Sequence, residues 1–297
     1  MALGGNALLR RGETADAATQ RENVEAAVRA VAEVARTHDV VVTHGNGPQV
    51  GLLALQSEAY GDVPAYPLDV LGAESEGMIG YMLEQALENA LSERPVATLL
   101  TQVIVDGDDP AFTRPTKPIG PQYDRETADF LRAERGWSVA PDGDRFRRVV
   151  ASPEPRAIVE LPTIRLLLDA GVLVVCVGGG GIPVIADREG RLRGIEAVID
   201  KDLAAALLAC ELDADALLLL TDVAAVETGW GAPDARPLSR ASAAELRGMD
   251  WDPGSMGPKI EAACRFAELR GGLAAIGALE DAGPILRGER GTQVTPT

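Results

Sequence analysis

Short runs of consecutive apolar residues alternate along this chain with stretches in which apolar positions recur every three or four residues. Val40–Thr43, Val96–Val105, Val172–Val177, Ala216–Thr221 and Leu273–Gly277 are such runs and lack period-2 alternation. They predict strands covered on both faces. Between them, Val24, Ala27, Val28, Val31 and Val34 repeat at helical spacing, as do Met78, Met82, Leu83, Ala86 and Leu87, predicting helices with one buried face. Leu203–Leu212 and Lys259–Leu269 predict two more. Strand–helix alternation of this kind predicts an α/β fold, a mainly parallel sheet with helices on both faces. Ligands in such folds sit at the carboxyl ends of the strands. The chain has no internal repeat and no low-complexity tract.

One region departs from the alternation. Residues 107–121 carry Pro110, Pro115, Pro118 and Pro121, and a polar stretch follows through Ala140-Pro141-Asp142-Gly143-Asp144, Arg145, Arg147, Arg148, Pro153 and Pro155. Residues of about 110–157 therefore read as an excursion from the sheet, a small hairpin subdomain. Its basic residues form either a solvated loop or a lid that carries a cation to a bound anion.

Composition narrows the class. The 297 residues suffice for one large domain or two lobes with a sizeable core. Lys and Arg total 28 against 45 Asp and Glu, a net charge of −17. Such a chain repels nucleic acid and acidic membrane surfaces, whereas a small anion can be held by a few local cations. Cys176, Cys210 and Cys264 stand far apart, with neither metal-type spacing nor a disulfide framework. A reducing, cytoplasmic compartment is expected. The apolar runs, such as Leu203–Cys210, are far shorter than the ~18 residues of a membrane span, and the first residues do not read as a signal peptide.

Four glycine-rich turns carry the candidate chemistry. They are Gly4-Gly5-Asn6-Ala7, His44-Gly45-Asn46-Gly47-Pro48, Gly178-Gly179-Gly180-Gly181 and Gly254-Ser255-Met256-Gly257-Pro258-Lys259. The first three follow predicted strands and the fourth opens a helix. Glycine lets backbone N–H groups approach an anion, and a helix N-terminus adds a positive dipole end. A single such turn is weak evidence, but four on one sheet point to a phosphate-handling cleft. None is a P-loop, since Ile182-Pro183 follows Gly181, and none has the Gly-x-Gly-x-x-Gly spacing of a dinucleotide site.

Lysine is scarce: Lys117, Lys201 and Lys259 are the only three, and each sits beside a turn signal. A lone lysine there would read as a surface residue at a helix start. Three together suit a phosphoryl-transfer site, where compact ammonium groups offset phosphate charge. Asp200, Asp202 and Asp222 lie at strand ends or helix starts, serving as N-caps or orienting a lysine or a hydrated Mg2+. His44 reads as a packed strand-end residue ahead of a general base, the Met78/Met82 stripe as helix core, and Trp137, Trp230 and Trp251 as structural.

These residues carry a family resemblance. Ala2-Leu3-Gly4-Gly5-Asn6-Ala7-Leu8 and His44-Gly45-Asn46-Gly47-Pro48-Gln49-Val50-Gly51 are similar to the first two turns of carbamate kinases. Pro67–Glu74, Pro115–Pro121, the turn at 178–181, Ile199-Asp200-Lys201-Asp202-Leu203 and Gly254–Lys259 follow in family order, so the match runs essentially end to end. Other amino-acid kinases usually carry a lysine in the first strand. Carbamate kinases lack it and use one from the protruding subdomain, here Lys117.

The resemblance implies an open αβα sandwich of the amino-acid kinase type, a single such domain overall. Residues 1–212 would form a carbamate or carbamoyl-phosphate lobe bearing the protrusion, and 213–297 a nucleotide lobe. It implies an ATP:carbamate phosphotransferase, using Mg2+ with ATP or ADP, homodimeric, in arginine or other nitrogen catabolism. Gly4, Gly5 and Asn6 would cradle the transferred phosphoryl group. Gly45, Asn46, Gly179 and Gly180 would hold the carbamoyl side. Lys117 would close over it, Lys201 would stabilise transferring charge with Asp202 beside it, and Lys259 would bind nucleotide phosphates. Thr221, Asp222, Val226, Gly254, Ser255 and Met256 would complete the nucleotide site. No protein metal ligand is implied, the Mg2+ being held by nucleotide phosphates.

Two departures from the family pattern stand out. The chain opens almost at the first glycine turn, so a three-residue strand at Met1–Leu3 is expected to be weakly anchored at the sheet centre. The stretch Thr221–Thr228 lacks the large residue usual near Glu227. The alternative readings are a binding protein without turnover and a kinase of another small carboxylate.

Overall fold

The computed structural model describes residues 1–5, 8–9, 12–14, 16–229, 235–252 and 254–297. In chain order its elements are β1 (Ala2–Leu3), α1 (Ala17–Ala35), β2 (Val41–His44), α2 (Gly47–Ala59), α3 (Leu68–Ala90), β3 (Val96–Thr98), β4 (Gln102–Val105), β5 (Lys117–Tyr123), α4 (Arg125–Arg135), β6 (Val139–Asp142), β7 (Arg145–Val150), β8 (Pro155–Ile158) and α5 (Leu161–Asp169). Then follow β9 (Leu173–Val175), β10 (Ile182–Ala186), β11 (Leu192–Gly194), α6 (Lys201–Glu211), β12 (Ala216–Thr221), β13 (Glu227–Thr228), β14 (Arg236–Pro237), β15 (Arg240–Ser242), α7 (Ala243–Arg247), α8 (Met256–Arg270), β16 (Leu273–Ala278), α9 (Ala282–Leu286) and β17 (Thr292–Thr295).

The main sheet has the order β15-β17-β16-β12-β1-β2-β9-β3. Its pairs are parallel except β16–β17. Successive strand residues face opposite layers, as the pleat requires. Leu3, Leu218, Leu220, Leu173 and Val175 pack against α1 and α3 on one face. Ala2, Leu217, Leu219 and Ile276 meet α6, α7 and α8 on the other, where Val174 and Cys176 join α5 and α6. This is the predicted α/β sandwich. Both faces being covered explains why the strand runs show no alternation.

The first strand is short yet held on both edges. Ala2 pairs with Leu219 and Thr43, and Leu3 with Leu220 and His44. Both residues are fully buried, and the ladder continues through Gly4 N–H to Leu220 O and Gly45 N–H to Leu3 O. The expectation of weak anchorage is corrected: a central position gives two residues two sets of partners.

The run Val96–Val105 is two strands. β3 ends the main sheet, while β4 joins a four-stranded sheet in the order β11-β10-β4-β8. The chain turns at Thr101, whose N–H donates to Glu76 and whose hydroxyl accepts from Val177 N–H. The excursion contains the three-stranded sheet β5-β7-β6, with α4 connecting β5 to β6. It rests on α2, where Gly51 and Gly120 approach so closely that a Cβ on Gly51 would lie 2.0 Å from the Gly120 Cα. Among the described residues, no helix is long and apolar enough to cross a membrane.

Candidate active site

The carboxyl ends of β1, β2 and β12 open into a crevice of about 240 Å³. Gly4 and Gly5, Gly45 to Pro48, Gly179, and Gly254 with Ser255 line it, so all four glycine turns converge there. Lys117, Lys201 and Lys259 line it too, with Asp200, Asp202, Thr221 and Asp222. Three helix N-termini border the same space: α2 after Asn46 with Pro48 in its first turn, α6 after Asp200, and α8 after Ser255. Their dipoles favour an anion, and α2 and α8, which have no side-chain cap, also present free N–H groups. At Gly45 the chain passes so near the first turn that an added Cβ would lie 3.0 Å from Gly5 N and 3.2 Å from Lys201 Cδ, so glycine is needed on packing grounds alone.

Two aspartates organise the three lysines. Asp200 caps α6, accepting from Asp202 N–H at 2.9 Å and Leu203 N–H at 3.2 Å through Oδ1. Its Oδ2 accepts from Lys117 Nζ, which β5 brings in from the protrusion. Asp202 bridges the others: Lys201 Nζ donates to Oδ1 at 2.5 Å and Lys259 Nζ lies 3.3 Å from Oδ2. Lys201, Asp200 and Asp202 are buried. Burial pushes the Lys201 ammonium down from its ordinary value, opposed chiefly by Asp202. For Asp202, burial acts to raise the carboxyl, but Lys201 and Lys259 outweigh it and hold it well below the usual carboxylate range. The aspartates thus keep mutually repelling cations charged and close, where two unit charges ~4 Å apart cost roughly 4 kcal/mol at an effective dielectric of 20.

The protrusion supplies one cation to this crevice. Five of its arginines are engaged elsewhere: Arg135 and Arg148 meet Glu58 of α2 and lie over the Trp137 ring, Arg125 and Arg132 lie over Phe146, and Arg147 pairs with Asp142. These five serve the protrusion's packing on itself and on α2, and Lys117 is its contribution to the crevice.

Not every expected residue lines the crevice. Asn6 lies outside the described residues, as does Trp230. Gly180 sits behind it against Ile199. Val226 is fully buried beside β12 and α8, its N–H donating to Thr292 Oγ1 at 2.8 Å. Met256 begins α8 and packs against the same cluster. Apolar packing of the β12–α8 layer claims both side chains. His44 is buried; burial lowers its imidazole to about 4, and Nδ1 faces Gly45 O. A neutral, packed histidine matches the structural reading and leaves no general base there.

Sequence reasoning missed Ser75 and Glu76 of α3. Ser75 Oγ accepts from Asn46 Nδ2 at 2.8 Å, and Glu76 accepts from Gly178 N–H at 2.7 Å. The available signal was a charged residue on the apolar stripe shared with Ile79, Leu83 and Leu87.

The sheet, the crevice at its carboxyl edge and the clustered ammonium groups define a phosphoryl-handling α/β protein. The sequence model described as "Amino acid kinase family" matches residues 1–276. Carbamate kinases of Rhizobium meliloti and Haemophilus influenzae are 55% and 53% identical, over 99% of this chain and 92% and 96% of their own lengths. Carbamate kinase from Giardia lamblia bound to AMP-PNP superposes with a TM-score of 0.89 at 42% identity, covering 99% of this chain and 96% of that one. The chain therefore belongs to the amino acid kinase family, within its carbamate kinase branch.

Proposed function

We propose that the protein catalyses reversible phosphoryl transfer between ATP and carbamate. In the ATP-forming direction a β-phosphate oxygen of ADP attacks the phosphorus of carbamoyl phosphate. The bond from phosphorus to the carbamoyl oxygen breaks, and carbamate leaves with that electron pair before decomposing to ammonia and CO2. The observation that carries this reading is the meeting of all three lysines of the chain in one crevice rimmed by four glycine turns. The high identity to curated carbamate kinases supports it further.

In this reading the chemistry is positioning and charge stabilisation, with no covalent enzyme intermediate. The turns at Gly4–Gly5 and Asn6 hold the migrating phosphoryl group. Gly45, Asn46 and Gly179 hold the carbamoyl side. Lys117 and Lys201 exchange part of their aspartate contact for substrate oxygens, while Lys259 and the start of α8 take nucleotide phosphate. Mg2+ enters as part of the nucleotide substrate. Asp200 and Asp202 are both committed to ammonium groups, so the donor set fits a cation carried on phosphate oxygens. The proposal includes a homodimer acting in the cytoplasm on carbamoyl phosphate from arginine or other nitrogen catabolism. Free cysteines are consistent with a reducing compartment.

The test is direct. Purified protein supplied with ADP, Mg2+ and carbamoyl phosphate is expected to form ATP. A folded protein that forms none overturns the proposal.

A further inference from the structure

Beneath the Gly178–Gly181 turn a carboxyl group is buried without an ion-pair partner among the described residues. Glu76 is 1% exposed. Its Oε1 accepts from Gly178 N–H at 2.7 Å and its Oε2 from Thr101 N–H at 3.1 Å. An ion pair would explain a buried carboxylate cheaply, but no ion pair involves Glu76 among the described residues. The residue before it, Ser75, is fully buried and accepts from Asn46 Nδ2, while its own hydroxyl donates to Gly72 O at 2.8 Å.

The segment that Glu76 grips is conformationally demanding. Val177 has φ 53°, and Gly179, Gly180 and Gly181 have φ of 66°, 98° and 86°. A valine in the left-handed region is strained and persists only where neighbours over-determine it. Here Val177 is fully buried in the cluster with Val103 and Ile199, Gly180 N–H and Gly181 N–H donate back to Val177 O and Gly178 O, and two side chains hold the turn from outside: Thr101 Oγ1 accepts from Val177 N–H, and Glu76 accepts from Gly178 N–H. The turn also leaves no slack. A Cβ on Gly178 would fall 2.4 Å from His44 Nε2 and 2.8 Å from Glu76 Cγ, and one on Gly179 would fall 2.1 Å from Asn46 Nδ2. Gly179 and Asn46 both line the crevice. Two consecutive residues of α3 therefore fix two adjoining parts of the site wall, Ser75 through Asn46 and Glu76 through Gly178, next to Gly179.

We propose that Glu76, aided by Ser75, is a positioning residue that sets the carbamoyl-side wall of the crevice, governing affinity for carbamoyl phosphate without touching it. The inference rests on the proposed function. Nucleotide-side groups lie elsewhere: Lys259, Gly254 and Ser255 belong to α8 and the turn before it, and their hydrogen bonds run to Asp202, Ser255 O and Asp252 rather than to α3. Loosening the 178–181 turn should therefore weaken one substrate and spare the other.

The experiment measures KM for carbamoyl phosphate and for ADP separately, with kcat and thermal unfolding, for wild type, Glu76→Gln and Ser75→Ala. Glutamine keeps one acceptor oxygen and turns an NH2 group toward the other N–H, so one backbone donor loses its partner. Glu76→Gln is expected to raise KM for carbamoyl phosphate about tenfold, with KM for ADP changing less than about twofold. Ser75→Ala is expected to show the same split at about threefold, and it decides the matter if Glu76→Gln does not fold. Equal changes in both KM values, or none in either, overturn the inference while leaving the enzyme assignment in place. A wild-type protein that forms no ATP overturns the assignment and this inference with it.

Discussion

The two ends of the central sheet hold cavities of opposite character. At the carboxyl ends, a crevice of about 240 Å³ gathers three ammonium groups, two buried aspartates and four glycine turns. At the amino ends, a mostly apolar cavity of about 690 Å³ is bounded by Met1, Val40, Val41, Leu217, Leu218 and Leu273. The second is nearly three times larger and has no comparable cluster of opposed charges. Volume is therefore a poor guide to where chemistry resides. The polarity of the strands is a better one, because helix N-termini follow strand carboxyl ends in a parallel sheet and concentrate free N–H groups there. The amino ends meet helix C-termini, whose partial negative charge disfavours an anion.

The sharpest way to break this comparison is to remove charge from the crevice. Lys201 is buried and fixed by Asp202, so Lys201→Ala deletes a preorganised cation at the proposed point of transfer. Turnover is expected to fall about 10²–10³-fold, the scale of losing one such donor, with KM values little changed. Steady-state kinetics in the ATP-forming direction check it. Full activity in the variant would mean that convergence of the lysines does not mark the reacting centre. Lys259→Ala has the next largest effect. Lys259 lies at the mouth of α8, only 3.4 Å from Ser255 O, and its loss is expected to raise the KM for ADP about tenfold while kcat falls less.

Much of this site was legible because its chemistry is local. A glycine turn after an apolar run, or Asp-Lys-Asp at a helix start, shows in a few residues. Asp200 read as an N-cap, and it is one. Its second role, holding Lys117 from 83 positions away, depends on how β5 folds back and could not be read. The split of Val96–Val105 was hidden for the same reason: the turn at Thr101 answers to Glu76 and Val177, distant in sequence. The edge strand β15 and its neighbour β17 have little apolar signal and exist through pairing, β17 with β16 and β15 with β17. Where a residue's partner is a neighbour in sequence, pattern sufficed. Where the partner arrives through topology, it did not.

Glu76 offers a smaller effect that sharpens the contrast between the charged crevice and the dry structure behind it. Burial pushes its carboxyl up to about 8, opposed by the Thr101 and Gly178 N–H groups and reinforced by Glu160. The unfolded chain releases that proton near its ordinary value and the folded chain only near pH 8. Between those limits the folded state binds more protons, so wild-type stability falls as pH rises. The full cost, of order 4 kcal/mol, is present above pH 8. Glu76→Gln removes this dependence, so its Tm relative to wild type is expected to climb from pH 5 to pH 8.5. Parallel curves would mean that Glu76 is ionised and stabilised in a way these contacts do not reveal.

The amino-end cavity yields the mildest expectation. β1 pairs with β12 at Leu219 and Leu220, and Met1 falls opposite Leu218, so Ala216 and Leu217 run beside the cavity without a neighbour on that side. Three β-branched residues placed before Met1 would continue β1 into this slot. Each buried side chain contributes about 1.5–3 kcal/mol, against about 1–2 kcal/mol for ordering its backbone and up to about 1 kcal/mol for its rotamers. At mid-range values the three residues together gain of order 1 kcal/mol, a Tm rise of about two degrees for a chain of this size, visible in a thermal melt. Turnover should stay within about twofold of wild type, because the crevice lies at the other end of the strands. A chain so extended that gains no stability would show the slot to be too narrow for a strand. One that gains stability and loses turnover would show that the two ends of β1 are mechanically coupled, and the first glycine turn would then have to be regarded as adjustable from below.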